Sequence, residues 1–459
     1  MMRLVVALVI WIGTAKGHRP ALRLRMANSG NQQMVKQLVG QAEHAATNKW
    51  WSSDAGLTFG CTGCGRCCQN DGVVWLDTDE FAELCYSLNL SHAEVLERYS
   101  DQIMSGWVKL KNKPAEKGGA DRCIFLDEDG RKCTIYESRP VQCRTYPYWP
   151  KLLFNSSSFT ARAVMPDDAP SGPYWSATAG GCEGINHVNA TKVSPKQIHR
   201  NAALYEAYTD LFPFMESGDD KQRLLGKLGV ISNVVKASRA WVSDFVLRYN
   251  LCPFAADVFK ESRVRYRVFF GGSDDIAKVV ERVRFEMLAL LTAKEEDVAT
   301  TLLMLPFAFS SFDDFHRLSL ELEDALLPLI ERELQGPQPP TTASAEAGVA
   351  ESKSKTNRLL SRSKPKDRDR DKGSEPDIQL AFFHPSFEWD NTEEFNSPIN
   401  FEKRAPFPTI NLLRAARIRD WANGAKTTRI ANSNADVLGR AGGEQLSEEF
   451  ERIIRLALE

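Results

Sequence analysis

The clearest hydrophobic pattern lies in the second half of the chain. Ile276, Val279, Val280, Val283, Met287, Leu290 and Leu291 recur at helical spacing and predict an amphipathic helix. Ser273 suits its N-cap, and Asp274 and Asp275 suit its positive end. Arg265 to Phe270 and Thr300 to Leu305 predict strands on either side of it. Phe312 to Leu334 predicts a further helix, Ile378 to Phe383 a strand, and Ile410 to Trp421 a helix. Strands alternating with helices imply a sheet layer covered by helices, of α/β or α+β type. A polar helical segment is predicted near 195–217, and a short amphipathic helix over Ser447 to Leu458. Gln335 to Pro376 breaks the pattern, with Gly336-Pro337, Pro339-Pro340 and then Ser, Lys, Arg and Asp. Such a stretch buries too little apolar surface to offset its ordering entropy, so it reads as a disordered insertion within one domain. The cost of closing such a loop grows only slowly with its length.

The chain of 459 residues is too long for one ordinary core. The predicted division is 1–45 presequence and spacer, 55–185 cysteine-rich domain, 190–220 helical connector, 221–425 sheet-and-helix domain with its insertion at 335–376, and 426–459 C-terminal tail. At the start, Arg3 precedes an apolar run from Leu4 to Ile12, followed by Gly13, Thr14 and Ala15. The run is too short to span a bilayer and suits a signal-peptide core. His18 to Met34 then carries Arg19, Arg23 and Arg25 and no acid, as a transit peptide behind a signal peptide does. Delivery to a plastid is the expectation, with plain secretion as the alternative. Asn89, Asn155 and Asn189 each begin a glycosylation acceptor, and glycans there would favour secretion. No later segment suits a membrane span. A net charge of -2 gives no electrostatic reason to expect nucleic acid as a partner, and protein partners are left open.

The ten cysteines change the picture because they are crowded. The run Phe59-Gly60-Cys61-Thr62-Gly63-Cys64-Gly65-Arg66-Cys67-Cys68 places four thiols within one or two turns. Disulfides demand a particular Cα separation and dihedral, which this spacing fits poorly. A metal suits it well, since a Cys-x-x-Cys turn converges two sulfurs on one ion. Cys123 follows at the entry to Ile124-Phe125-Leu126, and Asp127 to Gly130 reads as a hairpin turn with Cys133 just past it. Cys143 sits in Arg139-Pro140-Val141-Gln142-Cys143-Arg144-Thr145-Tyr146-Pro147, and Cys182 in Gly180-Gly181-Cys182-Glu183-Gly184. The candidate metal ligands are thus Cys61, Cys64, Cys67, Cys68, Cys123, Cys133, Cys143 and Cys182, each weighed against a packing role. Cys85, on a predicted helix, reads as a buried apolar residue. Thiolates bunched this closely repel one another, and a cation is the simplest way to hold them deprotonated.

These motifs, in this order, resemble the YkgJ-type zinc- or iron-chelating domain, the CxxxCxxCC family, over about residues 55–185. The resemblance implies zinc or iron, the iron either as an ion or in a [4Fe–4S] cluster. One zinc or one such cluster takes four ligands, so eight thiols suit two zincs, or one cluster with spare or redox cysteines.

In the second region, Trp241 and Phe245 lead to Asn250-Leu251-Cys252-Pro253-Phe254-Ala255. Leu380 to Pro385, Arg404-Ala405-Pro406-Phe407-Pro408 and Asn411-Leu412-Leu413-Arg414 follow. These blocks resemble the DUF1415 family over about residues 235–422, a family that implies no activity. Members carry a histidine before Leu-Leu-Arg, where this chain has Asn411. Cys252, His384, Arg404 and Arg414 are the polar residues that stand out. Cys252 and His384 would make a nucleophile and base, or two ligands of a second metal, against a packed helix end and a satisfied imidazole. Arg404 and Arg414 would hold an anion, against a solvated face.

The fold expected is therefore α+β: a small cysteine-rich metal-binding domain, then an α/β-type sheet-and-helix domain with a disordered insertion. The function expected is metal binding. The rivals are a redox or group-transfer enzyme using an iron–sulfur or zinc site, and a disulfide-stapled secreted interaction protein.

Overall fold

The structure, a computed structural model, describes residues 50–52, 56–69, 72–114, 121–163, 181–211, 221–273, 276–328, 330, 377–389, 392, 394–419 and 424–458. The expected presequence, the helix-start acids Asp274 and Asp275, and the expected insertion lie outside the described residues. The fold is α+β, as expected.

The cysteine-rich half is built from short pieces. Strand β1 (Leu57–Phe59) leads to β2 (Trp75–Leu76), helix α1 (Thr78–Leu88) and helix α2 (His92–Tyr99). Both helices start on capping boxes, Asp77 with Glu80 and Ser91 with Glu94, which satisfy their first N–H groups. Then come β3 (Ser100–Met104), β4 (Trp107–Leu110), β5 (Asn112–Lys113), β6 (Arg122–Cys123), the short helix α3 (Val141–Arg144) and β7 (Thr191–Val193). β2, β4 and β3 form one antiparallel sheet. β1 pairs antiparallel with β7, Leu57 opposite Val193, so the chain returns to its own start.

Helix α4 (Pro195–Asp210) and helix α5 (Lys221–Trp241) then lead into the main sheet. Its strands are β8 (Val264–Val268), β9 (Thr300–Met304), β10 (Ile378–Phe383) and β11 (Thr409–Arg414), in the order β10-β11-β9-β8. β8 and β9 are parallel, joined by helix α6 (Ile276–Thr292); the other pairs are antiparallel. Helix α7 (Phe312–Glu321) continues into a π-helical stretch, Leu322–Leu326. The predicted strands at 265–270, 300–305 and 378–383 and the helix from Ile276 are all present.

Two readings of local structure need correcting. Ile410 to Trp421 was expected as a helix, yet Thr409–Arg414 is an interior strand followed by a short helix, Ala415–Arg419. Ile410 and Leu412 are fully buried between β10 and β9, and pairing on both sides outweighs a local pattern that fits either state. Residues 426–459, set apart as a tail, fall largely in helix α8 (Gly424–Ala441) and helix α9 (Gly443–Arg455), the latter covering most of the amphipathic helix expected over Ser447 to Leu458. Their sparse apolar residues, Leu438, Leu446, Phe450 and Ile453, converge on one face and are buried beside Phe245 and Phe401.

Both large cores draw on both halves of the chain. In one, α6 lies between the sheet and α4, so residues Phe285 to Leu291 are buried all the way round. Trp107 and Val141 join this core from the cysteine-rich half, Trp107 meeting Tyr208 edge-on with 5.1 Å between ring centres. In the other, Phe81, Leu84, Cys85 and Val95 pack with Leu224, Leu228 and Ile231 of α5. At roughly 1.5–3 kcal/mol for each fully buried large aliphatic or aromatic side chain, this shared surface is a major part of the folding energy.

A buried ionic network crosses the same boundary. Arg282 meets Asp77 at 2.9 Å, Asp79 at 2.6 Å and Glu286 at 2.7 Å. Arg267 meets Glu83 at 2.7 Å and Glu286 at 3.4 Å. Burial pushes the Asp79 carboxyl up to about 7, only partly opposed by Arg282, whose single charge is shared among three acids. Glu83 moves the other way, to about 2: burial would raise it, but the Arg267 charge and hydrogen bond prevail.

Arg414 closes the exposed end of α6. Its guanidinium donates to the carbonyls of Leu290 at 2.5 Å, Ala293 at 2.7 Å and Val298 at 3.1 Å. The Leu290 and Ala293 carbonyls are at the C-terminus of the helix, where acceptors are left open and a cation is favoured. Arg414→Ala is expected to lower stability by about 2–3 kcal/mol, read as a shift in the urea midpoint at unchanged slope.

Candidate metal centre

Four stretches of chain bring the thiols together, three of them tied directly to one another. The first is the run 60–69. Gly65 has φ 72° and starts a tight turn, Arg66–Cys68, closed by the Cys68 N–H donating to the Gly65 carbonyl at 2.9 Å. A Cβ at Gly65 would lie 2.5 Å from the Gly130 carbonyl oxygen, so only glycine lets this turn sit against the next stretch. That second stretch runs from Cys123 to Cys133. Leu126 and Cys133 bridge, Gly130 has φ 68°, and the Asp127 N–H donates to the Lys132 carbonyl, so the expected turn is present. Gln69 ties the two stretches, donating through Nε2 to the Gly130 carbonyl at 2.6 Å. The third stretch carries Cys182, whose N–H donates to the Arg162 carbonyl. It is held to the first by Arg66 with Glu183 at 3.2 Å, and by the Gly60 N–H on the Gly184 carbonyl at 3.0 Å.

Cys143 arrives on α3. The Val141 N–H at the start of that helix donates to Glu80 Oε1 at 2.7 Å, which anchors the Cys143 turn to α1. Arg139 stacks over the Tyr136 ring at 3.7 Å.

All eight candidate thiols line one cavity of about 2320 Å³. Residues of the second half of the chain, from β8 and one side of α5, line it as well. Cys85 is 2 % exposed and packs within α1, as expected of an apolar residue, with burial pushing its thiol up to about 12. All ten cysteines are free.

The thiols sense one another. Cys67 and Cys68 have their sulfurs 3.9 Å apart. Cys68 holds its proton in hydrogen bonds to Cys123 and Cys67, which raises it; Cys67 is lowered, first by the Cys68 hydrogen bond and further by Arg139. Cys123 falls to about 7, chiefly through the same Cys68 proton. Burial raises Cys143, with the neighbouring Cys123, Cys67 and Cys133 adding to it. Burial also raises Cys133, and lifts Cys182 to about 12, with Cys64 and Cys67 adding to the Cys182 shift. These groups cannot all ionise together unless a positive charge joins them.

The donor set therefore fits zinc or iron. Metal–sulfur bonds of about 2.3 Å at a tetrahedral angle set sulfurs roughly 3.8 Å apart, the spacing Cys67 and Cys68 already have. Among the described residues, no group of three or more His, Cys, Asp or Glu side chains is drawn tightly enough to hold an ion. Binding must draw the thiols inward, so metal uptake and local folding are coupled.

The candidates in the second half are not brought together. His384 is 1 % exposed. The Ser386 N–H donates to its Nδ1 at 3.0 Å, so Nε2 carries the proton and donates to the Phe309 carbonyl at 2.8 Å. Burial lowers its basicity, and the imidazole is neutral and satisfied. Burial also raises the Cys252 thiol, and the cation facing it is Lys403. Arg404 is 2 % exposed, donates to the carbonyls of Phe387 and Phe395, and stacks on Phe395 and Phe401. Arg414 serves α6. Asn411 accepts from the Thr300 hydroxyl at 2.6 Å inside the sheet. His384, Arg404, Arg414 and Asn411 are thus all spent on the fold.

Sequence reasoning missed the charge network: buried Asp77, Asp79, Glu80, Arg265, Arg267 and Glu286, partly buried Arg282, and Glu83, whose side chain is half exposed. One signal was available: Arg263, Arg265 and Arg267 alternate, which places them on one face of a strand.

Comparison with known proteins finds two family matches on the chain. Residues 60–165 match the CxxCxxCC family, described as "Putative zinc- or iron-chelating domain". Residues 233–337 and 366–448 match the DUF1415 family, described as a protein of unknown function. An uncharacterized protein of Methanocaldococcus jannaschii is 38% identical over 94 residues, covering 20% of this chain and 46% of that relative. The chain thus spans less than half the length of that relative. No solved structure matches. On these grounds the chain joins a domain of the CxxCxxCC family to a domain of the DUF1415 family.

Proposed function

We propose that this protein binds zinc or iron through the thiolates of its first half, with the ligands drawn from Cys61, Cys64, Cys67, Cys68, Cys123, Cys133, Cys143 and Cys182. The observation that carries this reading is the convergence of the eight candidate thiols on one cavity, which the buried Cys85 also lines, with Cys67 and Cys68 already at the spacing of neighbouring ligands. A bound cation would offset the repulsion among the thiolates and let buried Cys143 ionise. The role is structural or metal-carrying.

A second reading, redox or group-transfer chemistry at the same centre, is favoured by the open cavity. A purely structural zinc is normally closed over by its ligands, whereas reactive centres keep room for a substrate. Elemental analysis of full-length protein made and purified without oxygen tests both. Zinc in whole-number ratio and colourless protein supports the first reading. Brown protein absorbing near roughly 400 nm supports a cluster and the second. Metal-free protein with its thiols oxidised in pairs overturns both.

A further inference from the structure

A separate feature of the same cavity is its arginines on β8. Arg263, Arg265 and Arg267 project from one face of β8 and the residue just before it, and each is at least nine-tenths buried. The outer two are neutralised: Arg263 pairs with Glu261, and Arg267 with Glu83 and Glu286. The middle one is not. Arg265 is 8 % exposed and lines the cavity. Among the described residues no group accepts a hydrogen bond from it, and Nη1 is shut off from solvent without a partner. Glu83 lies within electrostatic reach, yet its carboxylate is bonded to Arg267. Arg144, beside the thiols, lines the same cavity and adds a further positive charge near Arg265. An unpaired buried guanidinium is costly, and its planar fork matches a carboxylate or phosphate.

We propose that the cavity binds a small molecule through an oxyanion, a carboxylate or phosphate group, held by the Arg265 guanidinium with Arg144 nearby. The ligand then lies between the thiols and β8. Burial and the neighbouring Arg267 weaken the hold of Arg265 on its proton, which a bound anion would reverse.

Calorimetric titration of the full chain with inorganic phosphate, and separately with malonate, tests this. The expected result is binding of at least one probe, weakened at least tenfold in Arg265→Met, with zinc and iron content unchanged. Phosphate alone or malonate alone identifies which oxyanion the site takes. Thermal melting adds a second readout. Without probe, Arg265→Met should melt no lower than wild type, because it removes an unpaired charge, and added probe should no longer raise its melting temperature. Binding of neither probe, or equal binding by wild type and variant, overturns the proposal. If Arg265→Met does not fold, Arg265→Lys keeps the charge, loses the fork and is judged by the same two outcomes.

Discussion

Replacing Cys67 and Cys68 together by serine is expected to abolish metal binding and to destabilise far more than the turn that carries them. The two sulfurs stand 3.9 Å apart at the centre of the thiol set, in hydrogen-bond contact with Cys123 and within electrostatic reach of Cys143. Serine keeps the size but is a poor ligand for zinc or iron. Structural zinc sites carry apparent binding energies of about 10–16 kcal/mol in small domains, so losing the ion removes much of what orders the runs 60–69, 123–133 and 181–185. Because both cores contain residues from each half of the chain, melting of the main sheet should move too. Metal content by elemental analysis and the melting curve by circular dichroism are the measurements. Unchanged metal content in this variant would sink the assignment.

The second large effect concerns Arg282. Arg282→Met leaves Asp77 and Asp79 without their cation and the fully buried Glu286 with only the longer contact to Arg267, and is expected to cost about 3–5 kcal/mol. Adding Glu286→Gln to that variant should recover part of the loss, since the remaining cost is an uncompensated charge. The network also sets a pH dependence. Asp79 has its folded pKa raised to about 7, so its contribution to stability is full below its unfolded value near 4 and is lost as pH rises through 7. Glu83, lowered to about 2, acts in the opposite sense, and its contribution is lost only as pH falls from about 4.5 towards 2. Wild type should therefore lose stability relative to Asp79→Asn between pH 4 and 7. Denaturant unfolding across that range checks the slope, and parallel curves for the two proteins would refute it.

The parts of this fold that can be read from the sequence are those built from local pattern. The spacing of Val279, Val283, Met287 and Leu290 marks α6, and Ile378 to Phe383 marks β10, because each element buries a face visible within a few residues. The thiol centre is legible for the same reason: Cys61 to Cys68 are neighbours in the chain, and the turn at Asp127 to Gly130 announces its own geometry. What could not be read depends on distant partners. Ile410 to Arg414 is a strand because β9 and β10 flank it, and the pattern Ile-Asn-Leu-Leu-Arg does not say so. Arg282 and Asp77 meet across 205 positions of chain. Arg414, a natural candidate for holding an anion, is spent on the carbonyls of α6, whose end only the folded chain brings near. The apolar residues of α8 and α9 are too few to signal burial until Phe245 and Phe401 supply the opposing surface.

The pairing of Leu57–Phe59 with Thr191–Val193 has a consequence for how the protein is made. The first four thiols leave the ribosome early, on a segment whose β-rung is not yet synthesised. Until Val193 has been made, the strand that leads into Cys61 to Cys68 lacks its β-partner. A centre drawing on both Cys61 to Cys68 and Cys182 can therefore close only once the chain has been made past Val193.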